Sequence, residues 1–181
     1  MSVEPGRTPG DGTGLYPIAS PPRVGWRSTT VLCATIREDR GMTSWTPGWD
    51  AFPAALLEFW TERHLCSISS VRPDGRPHAV PVGVALDHEQ QCGWVITSRG
   101  ARKVRNIQAG PAQGLPVAAC QVDGRRWSTL EGRARVLTDA DAVRRAEECY
   151  AGRYRVPRPN PDRVAIRIEV ERFLMSSTLA P

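Results

Sequence analysis

The segment Val95-Ile96-Thr97-Ser98-Arg99-Gly100-Ala101-Arg102-Lys103-Val104-Arg105-Asn106 concentrates residue types that can hold a phosphate. It reads as the end of a strand, a short turn at Arg99-Gly100 and a helical stretch over about 101–109. A helix start offers unpaired N–H groups and the positive end of the helix dipole, a natural seat for an anion. Arg102 adds a planar fork, and Lys103, the only lysine in the chain, adds a compact point charge. Both suit phosphate oxygens. Thr97 and Ser98 can donate hydroxyls, and Asn106 falls on the helical face of Arg102 and Lys103. The same string also fits a solvated basic helix start, and these residues alone leave both readings open.

No other segment offers comparable chemistry. There is no Gly-rich phosphate or dinucleotide loop, no H-x-x-x-H pair and no G-x-S-x-G elbow, which disfavours a hydrolase. His78 opens a strand after Pro77, where its ring either reaches a ligand at a barrel rim or simply ends a strand. His88 sits in a polar turn, and His64 reads as a helix terminus. The five cysteines are odd in number, widely spaced and without a C-x-x-C pair, so neither a metal site nor a disulfide framework is expected. Cys66 and Cys120 lie in apolar strand-like runs and read as buried packing. Arg153, Arg155 and Arg158 flank Pro157 and either meet ligand carboxylates or form a solvated loop. No titratable residue stands out as a proton donor, so the catalytic residue is unassigned and water is the default.

Elements with clear periodicity must position these groups. Asp50 can cap a helix over about 51–63, with Phe52, Leu56, Phe59 and Trp60 on one face. The period then becomes alternating. Strands over 65–71 and 78–86 flank the turn Arg72-Pro73-Asp74-Gly75. In the second, Val80, Val82, Val84 and Leu86 face one way and the small residues Ala79, Pro81, Gly83 and Ala85 the other. Pro81 and Gly83 mark either a face approached closely by another group or a bend. Further strands follow over 93–98, 117–122, 126–137 and 163–173, with a turn at Asp123-Gly124 and an outward face beginning at Trp127. Thr138 with Asp141 resembles a capping box that opens a helix to about residue 153, with Val143, Ala146 and Tyr150 on its inner stripe. The expected fold is α+β, a six-stranded antiparallel barrel with three short flanking helices.

A chain of 181 residues with 40% hydrophobic and 24% charged content fits one globular domain. No apolar run approaches the roughly 20 residues needed to cross a bilayer, and the N-terminus lacks a secretory pattern, so a soluble cytoplasmic protein is expected. The net charge is +5, but the basic residues are scattered, which favours an anionic small molecule over nucleic acid. Residues 1 to 41 are rich in Gly and Pro and are expected to be disordered. Met42 follows directly, so this stretch also fits an over-extended reading frame, with residues 42–181 forming the cofactor-binding barrel.

The segments VITSRGARKVRNI, RPDGRPHAVPVGV, QVDGRRWSTLEGRARVL and YRVPRPNPDRV resemble, in order and spacing, the pyridoxamine 5'-phosphate oxidase-like split-barrel family. The similarity spans about residues 50–176 and is strongest to the coenzyme F420-dependent branch, which includes biliverdin reductases. The resemblance implies a phosphate site at Thr97, Ser98, Arg102, Lys103 and Asn106, reached from the strand carrying Ile96. It implies a deazaflavin ring against His78, Pro81 and Val82, which would account for the small face at Gly83. It also implies a homodimer whose second subunit completes the cofactor cleft, with Trp127 placed there. Hydride transfer to a conjugated acceptor follows, with Arg153, Arg155 and Arg158 meeting the carboxylates of a tetrapyrrole or of the cofactor's glutamate tail. An FMN-dependent oxidase or reductase of the same fold is the first alternative, and a non-catalytic cofactor- or haem-binding module the second. Two departures stand out: a loop over 108–115 longer than is usual, and a chain end soon after the last strand that argues against vitamin B6 oxidation.

Overall fold

Local turn chemistry produces the hairpins that build the sheet. The structure, a computed structural model, describes residues 35–39 and 42–180. Cys66–Val71 (β3) and Pro77–Val82 (β4) pair antiparallel around a turn in which Gly75 takes φ +81° and its N–H reaches the Arg72 carbonyl at 2.9 Å. Leu115–Asp123 (β7) and Arg126–Leu137 (β8) form the second hairpin, with Gly124 at φ +57° in the turn. Ala85–Asp87 (β5) pairs with Cys92–Ser98 (β6), and the long strand Arg163–Met175 (β9) joins β6 to β8.

Among the described residues the expected six strands become nine. The predicted strand 78–86 is interrupted at Gly83–Val84 and divides into β4 and β5. The other two, Thr35–Asp39 (β1) and Met42–Thr46 (β2), form a hairpin whose second strand pairs with β9. The expectation of an irregular chain through residue 41 is therefore corrected at 35–39, and residues 1–34 lie outside the described residues. The run Thr-Ile-Arg-Glu-Asp carries no clear apolar alternation, so only its pairing partner reveals it as a strand. The sheet follows the order β1-β2-β9-β8-β7-β3-β4, with β6 and β5 branching from β9. It does not close on itself: β4 lies at one edge, β5–β6 at another, and the chain crosses between them at Gly83–Val84. The register shifts between Glu131 and Gly132, where a Cβ on Gly132 would collide with the Glu169 carbonyl oxygen.

Among the described residues three α-helices pack against the sheet. Ala54–Thr61 (α1) begins after Pro53, later than expected, because a single 3-10 turn at Trp49–Ala51 precedes it. Its buried residues are Leu56, Phe59 and Trp60. Arg102–Gln108 (α2) places Val104 and Ile107 in the main core with Ile68, Leu130, Ile166 and Phe173. Ala140–Arg153 (α3) is capped by Asp139, one residue later than the predicted Thr138, and the Asp139 carboxylate accepts from the Ala142 N–H at 2.8 Å. Beneath α3, Asp87 accepts from Trp94 Nε1 at 3.1 Å and from Arg145 Nε and Nη2 at 2.7 Å each, which fastens β5 and β6 to the helix.

The small residue at Gly83 has a different cause from the expected cofactor ring. A Cβ there would lie 2.7 Å from Tyr150 Cε2 and 3.0 Å from Tyr154 Cε2, two rings stacked 4.8 Å apart at the C-terminal end of α3. Gly83→Ala is expected to destabilise the protein by about 1–3 kcal/mol through this overpacking. Urea unfolding checks it, and wild-type stability would mean that the rings shift aside without cost.

Candidate anion and cofactor site

The charges on α2 are free for binding because its packing uses other residues. Val104, Asn106 and Ile107 are buried, while Arg102 is exposed and Lys103 half-buried. Asn106 Nδ2 donates to Ser70 Oγ at 3.4 Å, which ties α2 to β3. The register Ser70↔His78 then brings the β4 histidine to this corner, with Arg72 just beyond the end of β3. Burial first, and then the charges of Arg72, Lys103 and Arg102, push the His78 imidazole below its usual pKa. His78 Nδ1 and Arg72 Nε are buried without a hydrogen-bond partner. Among the described residues, Arg72, Arg102 and Lys103 have no carboxylate within 4.0 Å. Three cations and an imidazole with no carboxylate in ion-pair contact, two of them with orphaned nitrogens, make a group whose chemistry suits a phosphate.

The other predicted site residues separate. Thr97 is buried, whereas Ile96 and Ser98, on the opposite face of β6, line a polar groove of about 500 Å³ with Gly83, Tyr150, Arg155 and Arg158. Ser98 Oγ accepts from Asn160 Nδ2 at 2.9 Å. Pro81 is exposed on β4, but Val82 is 7% exposed in the core, so only its backbone can face a ligand. Trp127, half-buried, pairs with Val122, five residues along β7 from Val117 in the row of Ser70 and His78. That is roughly 17 Å of strand, so within one chain Trp127 does not join the cation cluster.

Arg153 departs from its expected place beside Arg155 and Arg158. Its Nε donates to the Glu62 carbonyl at 2.9 Å, Nη2 to Gln121 Oε1 at 2.7 Å and Nη1 to the Val84 carbonyl. It clamps the end of α1 to the β4–β5 crossing and to β7. The reason is helical periodicity: Ala146, Tyr150 and Arg153 share a stripe of α3, while Arg155 and Arg158 lie past its end. Sequence reasoning missed Arg72, which joins the cation cluster, and Tyr150, which lines the groove with Arg155 and Arg158. Arg72 was accessible from hairpin arithmetic, since it follows the strand paired with His78.

An acidic group elsewhere is already filled. Glu62, His64 and Asp123 converge, but Arg126 bonds both Glu62 oxygens at 2.9 Å and also Asp123. Hydrogen bonds from Arg126, and then from His64, hold Glu62 down at about 2.

Phosphate affinity at this corner should depend on pH. A bound anion offsets the field of the three cations, so His78 gains basicity and binding takes up a proton. Affinity for F420 is expected to rise severalfold as the pH falls from about 8 to about 6. The His78→Gln variant should lose that slope, and equal slopes in isothermal titrations of the two proteins would remove His78 from the anion site.

The chain and its fold match a known family. A model of the pyridoxamine 5'-phosphate oxidase family matches residues 52–177, and the chain belongs to that family. An F420H(2)-dependent biliverdin reductase of Mycobacterium tuberculosis (strain CDC 1551 / Oshkosh) is 49% identical over 123 residues, covering 68% of this chain and 87% of that protein. Among solved structures, a conserved hypothetical protein from Mycobacterium tuberculosis superposes with a TM-score of 0.56 at 22% identity, covering 68% of this chain and 82% of the other. An F420 reductase superposes at 0.51 and 23% identity, covering 64% and 93%. These two likenesses concern the fold. Among the described residues, no helix is long and apolar enough to cross a membrane.

Proposed function

We propose that this chain is an F420-dependent oxidoreductase that transfers a hydride to a conjugated organic acceptor, with a biliverdin-like tetrapyrrole as the first acceptor to test. The observation that carries this reading is the unpaired cluster of Arg72, His78, Arg102 and Lys103, in a chain 49% identical to an F420H(2)-dependent biliverdin reductase. When bound, reduced F420 supplies the hydride. The protein's residues bind and orient: Arg102, Lys103 and Arg72 hold the phosphate, and Ala79 and Pro81 leave room for a flat ring along the edge of β4. Arg155 and Arg158 meet carboxylates of the acceptor or of the cofactor tail in the groove beside Tyr150.

A second copy of the chain completes the cleft and carries its Trp127 to it. Support comes from the outer face of β3, β4 and β7, where small residues alternate outward: Ser67, Ser69, Ala79, Pro81, Ala118 and Cys120. A shallow groove of about 400 Å³ crosses this face, and Val71 is 53% exposed beside it.

Parallel titrations with F420 and FMN test the cofactor. Preferential F420 binding, with F420H2 oxidised on adding biliverdin, supports the reading. Retained yellow flavin, or tighter FMN binding, assigns a flavin enzyme instead. Binding of F420H2 without oxidation by biliverdin, quinones or nitroaromatics leaves a non-catalytic module. Sedimentation should give a dimer, and a monomer that still turns over would remove the second copy from the cleft.

A further inference from the structure

Arg153 borders a cleft that neither the phosphate corner nor the arginine groove uses. The cleft, about 390 Å³, opens between α1, β5 and the last turns of α3, walled mainly by Leu57, Trp60, Ala85, Leu86 and Cys149. That volume lies in the range of small-molecule sites. Cys149 contributes an uncharged wall, since burial pushes its thiol up to about 11. Apolar walls of this kind ordinarily surround an apolar guest.

Arg153 brings a permanent positive charge to these walls, which the Thr61 hydroxyl and the His88 imidazole also border. Its guanidinium lies 5.3 Å from the centroid of the Trp60 ring, itself part of the cleft. All three of its hydrogen-bond acceptors are neutral: two backbone carbonyls and the Gln121 amide oxygen. Among the described residues no carboxylate lies within 4.0 Å of it. A cation removed from water usually has an anionic partner, because desolvation is costly without one. After these bonds Nη1 and Nη2 each retain a second N–H.

We propose that this cleft binds a compact apolar monocarboxylate, its carboxylate paired with Arg153 and its body against Trp60 and Leu57. The charge supplies the contacting anion that the guanidinium lacks, since Glu62, which also acts on Arg153 electrostatically, is engaged by Arg126, and the mainly apolar walls disfavour strongly hydrated ions such as inorganic phosphate. This site is separate from the proposed cofactor site and does not depend on the redox assignment.

Benzoate is the probe, with benzyl alcohol as its uncharged counterpart, in isothermal titration against the full chain. Benzoate is expected to bind at least about tenfold more tightly than the alcohol. Gly152 lines the cleft from α3, and a Cβ there meets nothing within 4 Å, so Gly152→Leu starts without a clash at Cβ and should extend into the space. Its thermal midpoint should not fall, since glycine is a poor helix former, and benzoate binding should be lost. Leu57→Trp fills the cleft from the opposite wall and should have the same effect. Benzoate affinity unchanged in both folded variants overturns the proposal, as does equal affinity for benzyl alcohol. No binding to the unaltered protein at about 10 mM benzoate also overturns it.

Discussion

Alanine at both Arg102 and Lys103 is expected to weaken F420 binding by about 100-fold or more while leaving the thermal midpoint nearly unchanged. Each charged hydrogen bond to an anion contributes about 1.5–3 kcal/mol, so losing two removes about 3–6 kcal/mol. The fold should tolerate the change because α2 is anchored by Val104, Asn106 and Ile107. Neither cation balances a carboxylate among the described residues, so no buried acid is left unpaired. Fluorescence titration with F420, alongside thermal unfolding, reads the two effects separately. Unchanged affinity in the folded double variant would detach the cofactor phosphate from α2 and with it the proposed redox role.

Asp87→Ala should have the largest effect on stability, about 3 kcal/mol or more, with little direct effect on the phosphate corner. The Asp87 carboxylate is 1% exposed and accepts from Arg145, Trp94 and the Glu89 and Gln90 N–H groups. Truncation leaves the Trp94 indole N–H buried without an acceptor and releases Arg145 from β5. Burial alone would raise the Asp87 pKa, but the bonds from Arg145, Gln90 and Trp94 outweigh it and hold the group well below its ordinary value. A carboxyl depressed on folding stabilises the native state above its unfolded pKa, and that contribution fades as the pH falls below about 4. Asp87→Asn should therefore be less stable at neutral pH and should flatten the acid limb of the stability profile. Urea unfolding at several pH values checks both, and identical acid limbs would show that Asp87 does not govern acid unfolding.

The legible parts of this molecule share a short range. Gly75 and Gly124 adopt the positive φ that their turns require, and the registers of the β3–β4 and β7–β8 hairpins follow from those turns. The stripe Val143, Ala146 and Tyr150 identifies α3 and, extended by three residues, already reaches Arg153. Grouping Arg153 with Arg155 and Arg158 by proximity in sequence overlooked where the helix ends. Gly83 was open to two readings because the rings that fill its space belong to Tyr150 and Tyr154, nearly seventy residues away. The β1 strand was invisible for a related reason, since its pairing with β2, rather than any pattern within Thr35–Asp39, defines it.

From residues alone came the element types, the turn positions and the presence of a basic strand–turn–helix suited to an anion. These depend on backbone sterics and on the alternation or helical repeat of neighbouring side chains, which act within a few residues. Only the folded chain decided which cations meet. It gathered Arg72 and His78 from one hairpin with Arg102 and Lys103 from α2, turned Ser98 and Ile96 toward a second groove and set Arg153 at a third cleft. Coulomb interaction and desolvation depend on distance through space and on burial, and neither is set until the elements pack together around the core.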